Sequence, residues 1–179
     1  SYLHRHGILH RDLKPANVMV IDGLEGQQVK LLDFGLAQMR SQRRGSLSVA
    51  ELSGTLSYMA PELFLGREPT EAADLFAVGV IAYELFVGRH PFDHGSDAEL
   101  VQEILAGEPD FSPLQGQPAL VALVRRLLAP IPVRRPSADE ALQALSQAAG
   151  LSPPMETAAL RESTLQAARF VGREEPMAQ

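Results

Sequence analysis

The sequence predicts a mainly α-helical domain carrying one small β-hairpin, and three observations support that expectation. Residues 74–87 form the most apolar stretch of the chain and stop at Gly88, as a buried helix closed by a glycine would. Two short β-rich runs, 18–21 and 29–32, flank the polar, turn-rich Asp22-Gly23-Leu24-Glu25-Gly26-Gln27-Gln28. Ser137 is followed three residues later by Glu140 at the head of a helical pattern, which reads as a capping box.

In chain order, Ser1-Tyr2-Leu3-His4 reads as the end of a helix already under way, with neither cap nor initiator Met, so the chain is expected to be a fragment. The two β-rich runs are expected to pair antiparallel, with Asn17 just before one strand and Asp33 just after the other. The hairpin thereby joins two residues that are distant in sequence. Residues 36–53 are polar, rich in Ser and Arg and without apolar periodicity, and read as a long mobile loop. The helix over 74–87, apolar almost all round, is expected at the centre of the domain. Further helices are expected over 97–106, 119–128 and 138–148, separated by proline-bearing loops.

Past Ala149 the character changes. Gly150-Leu151-Ser152-Pro153-Pro154 signals a linker, which we extend over 149–168, and residues 169–179 contain Phe170-Val171-Gly172-Arg173-Glu174. At 179 residues the chain holds one domain of roughly 1–148 plus a tail. A net charge of −6 gives no reason to expect nucleic acid or an anionic membrane surface as partner. There is no cysteine, which excludes disulfides and thiolate metal sites, and no apolar run approaches the ~20 residues that span a bilayer.

The chemistry concentrates in His10-Arg11-Asp12-Leu13-Lys14-Pro15-Ala16-Asn17. An acid, a cation and an amide stand within six residues, a set that suits phosphoryl transfer. Asp12 can orient an attacking hydroxyl and accept its proton, Lys14 can neutralise phosphate charge, and Asn17 can offer an oxygen to magnesium. Asp33-Phe34-Gly35 supplies a second hard carboxylate, and Ala60-Pro61-Glu62 follows. In this order and spacing the three motifs resemble those of the eukaryotic-type (Hanks-type) protein kinase family, over roughly residues 1 to 148.

The resemblance implies the helical C-terminal lobe of the protein kinase fold, with the N-terminal lobe absent from this chain. It implies a Ser/Thr protein kinase that uses ATP and Mg2+, acts on a protein substrate in signalling, and resides in the cytoplasm. Asp12 looks like the catalytic base and Lys14 like the lysine that contacts the transferred phosphate. Asn17 and Asp33 look like the magnesium ligands, and Met19 like the apolar floor under adenine. Strand alternation turns Met19 away from Val18 and Val20, which suits one residue facing nucleotide and two facing the core. Asp74 resembles the buried aspartate that holds the catalytic-loop backbone, and Glu62 with Arg135 resembles a buried ion pair. Gly54-Thr55-Leu56-Ser57-Tyr58-Met59 is similar to the Ser/Thr-type docking loop, with Thr55 able to bond both Asp12 and Lys14. The chain departs from the family pattern at Phe76, where tryptophan is usual, and at Ile131, where an acidic residue often stands. The string at 170–174 is similar to the opening of AAA- and STAND-type ATPase modules, which follow a kinase domain in some bacterial regulators; a disordered tail is the other reading.

A pseudokinase acting as a regulatory binding module is the alternative, but its usual mark, loss of the base or of a metal ligand, is missing. A small-molecule kinase of the aminoglycoside type shares the Asp12-to-Asn17 spacing but lacks the 60–62 anchor. His4, His6 and His10 as a metal site lack an acidic or thiol ligand beside them, and Arg40, Arg43 and Arg44 read as a solvated basic loop, with contact to a phosphorylated residue or a substrate as the other reading.

Overall fold

A computed structural model describes residues 2–5, 8–23, 26–32, 54–92 and 95–151. Asp33, Phe34, His6, the whole of the loop expected over 36–53, the greater part of the linker and the string at 170–174 lie outside the described residues.

A short helix, α1 (Tyr2–Arg5), leads into the loop that carries Asp12. A single 3-10 turn at Pro15–Asn17 follows, with the fixed φ of proline starting it. The hairpin pairs β1 (Val18–Gly23) with β2 (Gly26–Leu31) antiparallel, in a register that sets Val18 against Leu31 and Gly23 against Gly26. The strands therefore run into the segment expected to be loop, because Asp22 and Gln27 still pair across the ladder. Met19 stands opposite Lys30 and is 45% exposed. Val18 is half-buried, but Val20 and its partner Val29 are exposed at 58% and 61%, so the expectation that Val20 faces the core fails. Among the described residues, nothing covers that part of the ladder.

The helices are α2 (Pro61–Phe64), α3 (Glu71–Val87), α4 (Asp97–Ala106), α5 (Pro118–Leu127) and α6 (Ala138–Ala149). Ser96 caps α4 by accepting the Glu99 N–H, and Ser137 with Glu140 forms the reciprocal capping box of α6. Helix α3 starts nearly a turn earlier than its apolar run, because Glu71 and Asp74 place negative charge at its positive N-terminal end. Gly88 ends it in the left-handed region at φ 78°, where a side chain would be strained.

Packing centres on α3. Phe76, Val80 and Tyr83 meet Leu100 and Ile104 of α4 and Val124 of α5 in one cluster, all of them 0% exposed. Each such side chain contributes about 1.5–3 kcal/mol by leaving water. Phe92 stacks on Phe76 with ring centres 6.2 Å apart. A second cluster joins Leu75 of α3 to Leu123 and Leu127 of α5, with Ala138, Ala141 and Ala144 of α6 against it. Gly79 is what lets α3 lie so close to α5: a Cβ there would stand 2.8 Å from the Cβ of Leu127.

The expectation that α3 is buried all round is corrected. Val78, Leu85 and Phe86 are 39%, 78% and 50% exposed. They belong to an open apolar groove of about 520 Å³ that also takes in Leu3, Leu31 and Leu142. An all-apolar sequence fixes that a helix seeks cover on every side, and the described residues cover α3 on one side only.

Candidate active site

Two buried carboxylates hold the loops of the site. Glu62, at the start of α2, accepts two hydrogen bonds of 2.7 Å from the guanidinium of Arg135. Arg135 also donates to the carbonyls of Ala72 and Ala129, each at 2.8 Å. Its side chain is 0% exposed and lies 5.0 Å above the ring of Phe76, where the face of an aromatic attracts a cation. Phe76 thus fills its unusual position as a core ring beneath that ion pair. The segment around residues 60–62 is pinned to α3 and to the turn before α6.

Asp74 is the second anchor. Its Oδ2 accepts the backbone N–H of His10 and its Oδ1 that of Arg11, both at 2.9 Å. Arg11 has φ 66°, a left-handed conformation that a non-glycine residue adopts at a cost of order 1 kcal/mol. The bond from Arg11 N–H to Asp74 holds that turn, and Asp12 is the next residue along. Asp74 also accepts a bond of 3.2 Å from Nε2 of His4, a partner 70 residues away that no sequence signal indicates.

Four of the predicted site residues converge. The Nζ of Lys14 lies 3.2 Å from Asp12 Oδ2 and donates to Thr55 Oγ1 at 3.0 Å. The Nδ2 of Asn17 donates to the Asp12 carbonyl at 2.7 Å and to Asp12 Oδ2 at 3.0 Å. Asp12 and Asn17 are buried, at 8% and 5% exposure. Thr55 reaches Asp12 through Lys14. The residue that follows the hairpin is drawn in as well: Leu32 donates its N–H to the Asn17 carbonyl at 2.9 Å and accepts a bond from Nε2 of His10 at 3.0 Å. Leu32 immediately precedes Asp33 in the chain.

Sequence reasoning missed the support of the docking loop. Tyr58 donates its hydroxyl to Glu84 at 2.8 Å, and His90 donates from Nε2 to the Ser57 carbonyl at 3.0 Å. Burial raises the Tyr58 phenol above its ordinary pKa, and the bond to Glu84 and that group's charge raise it further. The phenol therefore stays a hydrogen-bond donor at neutral pH. These contacts join residues 26 and 33 positions apart, beyond any local pattern.

A sequence profile described as "Protein kinase domain" matches residues 1–145. The chain belongs to the protein kinase family. Over 142 residues, or 79% of the chain, it is 37% identical to "Serine/threonine-protein kinase PkaA" of Streptomyces coelicolor, of which the match covers 26%. It is 41% identical over 128 residues to "Serine/threonine-protein kinase Pkn1" of Myxococcus xanthus, covering 70% of the chain and 18% of that protein. It is 38% identical over 148 residues to "Calcium/calmodulin-dependent protein kinase type 1B" of Rattus norvegicus, covering 81% of the chain and 42% of that protein. This kinase chain thus spans less than half the length of the relatives it matches. No helix among its described residues is long and apolar enough to cross a membrane.

Proposed function

We propose that this chain is the helical part of a Ser/Thr protein kinase, which moves the γ-phosphoryl group of ATP to a Ser or Thr hydroxyl of a protein substrate. The observation that carries this reading is the joint placement of Asp12, Lys14, Asn17 and Thr55, a carboxylate, a cation, an amide and a hydroxyl linked by contacts of 2.7–3.2 Å.

In this reading Asp12 orients the acceptor hydroxyl and takes its proton. The bond from that oxygen to the γ-phosphorus forms as the bond from the γ-phosphorus to the β-phosphate oxygen breaks, leaving ADP. Lys14 balances the negative charge of the transferred group, and Thr55 keeps Lys14 in place while lining the docking loop. Met19, exposed on β1, gives adenine an apolar floor. The donor set also fits a hard cation. With Nδ2 committed to Asp12, the Oδ1 of Asn17 points away from that carboxylate, and amide and carboxylate oxygens are the ligands magnesium takes. Asn17 and Asp33 would hold Mg2+, which neutralises phosphate charge on bound ATP.

The same proposal makes the chain part of a longer, multidomain kinase of bacterial type in the cytoplasm, where ATP and protein substrates are at hand. Residues 1–148 form the C-terminal lobe, the nucleotide-covering lobe lies outside the chain, 149–168 is the linker, and 169–179 opens an AAA- or STAND-type ATPase module. The partial coverage of the relatives, the open apolar groove beside α3 and the Phe170-Val171-Gly172-Arg173-Glu174 string support this.

Steady-state kinetics of the full-length protein tests the division of roles. Asp12→Asn is expected to lower kcat by about 10²–10⁴-fold with KM for ATP nearly unchanged, because the base touches the hydroxyl and not the nucleotide. Asp33→Asn is expected to raise KM for ATP and lower kcat together, because it removes a charged metal ligand. Two variants with the same kinetic signature would refute the assignment.

A further inference from the structure

His4 is a largely buried titratable side chain that the proposed mechanism does not use. It is 10% exposed, and α1 holds it against the first turn of α3. Glu71 and Asp74 lie three residues apart and so project from one face of that helix. The imidazole sits between them, with Nε2 donating to Asp74 Oδ2 at 3.2 Å and Nδ1 3.7 Å from Glu71 Oε2.

Asp74 is 5% exposed, and a carboxylate that far from water is costly unless donors surround it. The donors that reach it among the described residues are the His10 and Arg11 N–H groups and the His4 ring. The oxygen that His4 bonds is the same one that receives His10 N–H, while the other oxygen holds Arg11 in its left-handed turn. Without His4, Oδ2 keeps only the His10 N–H, so the carboxylate loses the contact that holds it from the side of α1 and the two backbone bonds are left to orient it alone. Asp12 follows that turn directly, so an error in the turn becomes an error in the position of the base.

We propose that His4 is a positioning residue: by donating to Asp74 Oδ2 it locks the carboxylate that shapes the turn before Asp12, and it acts on turnover rather than on nucleotide binding. This rests on the kinase reading above.

The test uses the full-length protein, with the wild type first shown to transfer phosphate. A wild type that binds ATP and transfers nothing overturns the kinase reading and leaves His4 without a reaction to serve. With an active wild type, His4→Leu is expected to lower kcat roughly ten- to a hundredfold, as small misplacements of reacting groups do, with KM for ATP within about twofold. His4→Gln, whose amide N–H can still reach Asp74, is expected to recover most of the rate, whereas the shorter His4→Asn does not. Combining His4→Leu with Asp74→Asn is expected to cost little beyond Asp74→Asn alone, since both break one linkage. If His4→Leu does not fold, the comparison of His4→Gln with His4→Asn takes its place, both being neutral amides. Wild-type kcat in a folded His4→Leu protein, equal rates in the two amide variants, or additive losses in the double variant would overturn the inference.

Discussion

Arg135 has its guanidinium fully out of solvent, and Glu62 answers it with both carboxylate oxygens. Removing one member of such a pair strands the other charge, which costs about 3–5 kcal/mol. Arg135→Ala is therefore expected to lower unfolding free energy by that amount, measured by urea denaturation, and Glu62→Gln by less because a neutral amide is left behind. A loss below about 1 kcal/mol for Arg135→Ala would mean that the pair contributes no more than an exposed one. At this scale the sequence was informative where a motif carries several groups in a short span: Asp12, Lys14 and Asn17 stand within six residues and converge on one another. It was silent where partners are far apart. His4 with Asp74, Tyr58 with Glu84 and His90 with Ser57 are each joined only by the fold, and neither periodicity nor spacing records them.

Helix α3 organises the elements, and Gly79 sets its distance from α5. Replacing a mid-helix glycine by alanine ordinarily stabilises by about 1 kcal/mol through backbone entropy. Here the added methyl would meet Leu127 Cβ at 2.8 Å and Leu128 Cδ2 at 3.1 Å, and overpacking of this kind costs about 1–3 kcal/mol. Gly79→Ala is expected to lower Tm; a raised Tm would show that the two helices separate without penalty. The helices over 97–106, 119–128 and 138–148 were legible because apolar period, caps and prolines agree on their ends, and the observed bounds differ by a residue at most. The hairpin was legible in its existence but not in its length, since Asp22 and Gln27 pair in spite of turn-forming neighbours. Burial was the least legible property. Leu85 and Val20 are as apolar as core residues, yet a sequence does not say which face another segment will cover.

For the whole molecule, the proposed reaction joins the loop that carries Asp12, the hairpin that leads to Asp33 and the docking loop that carries Thr55; the first and last are tied to α3 by part-buried polar contacts, and the hairpin is tied to the Asp12 loop through Leu32. The full-length protein offers the most direct test. Incubated with γ-labelled ATP, Mg2+ and a generic basic protein, it is expected to place label on Ser and Thr and not on Tyr. Chelating the metal is expected to abolish transfer, and Asp12→Asn to reduce it by about 10²-fold or more while ATP still binds. Label on tyrosine alone, transfer that survives chelation, or an Asp12→Asn protein as fast as the wild type would contradict the assignment of Asp12 as base in a Ser/Thr kinase.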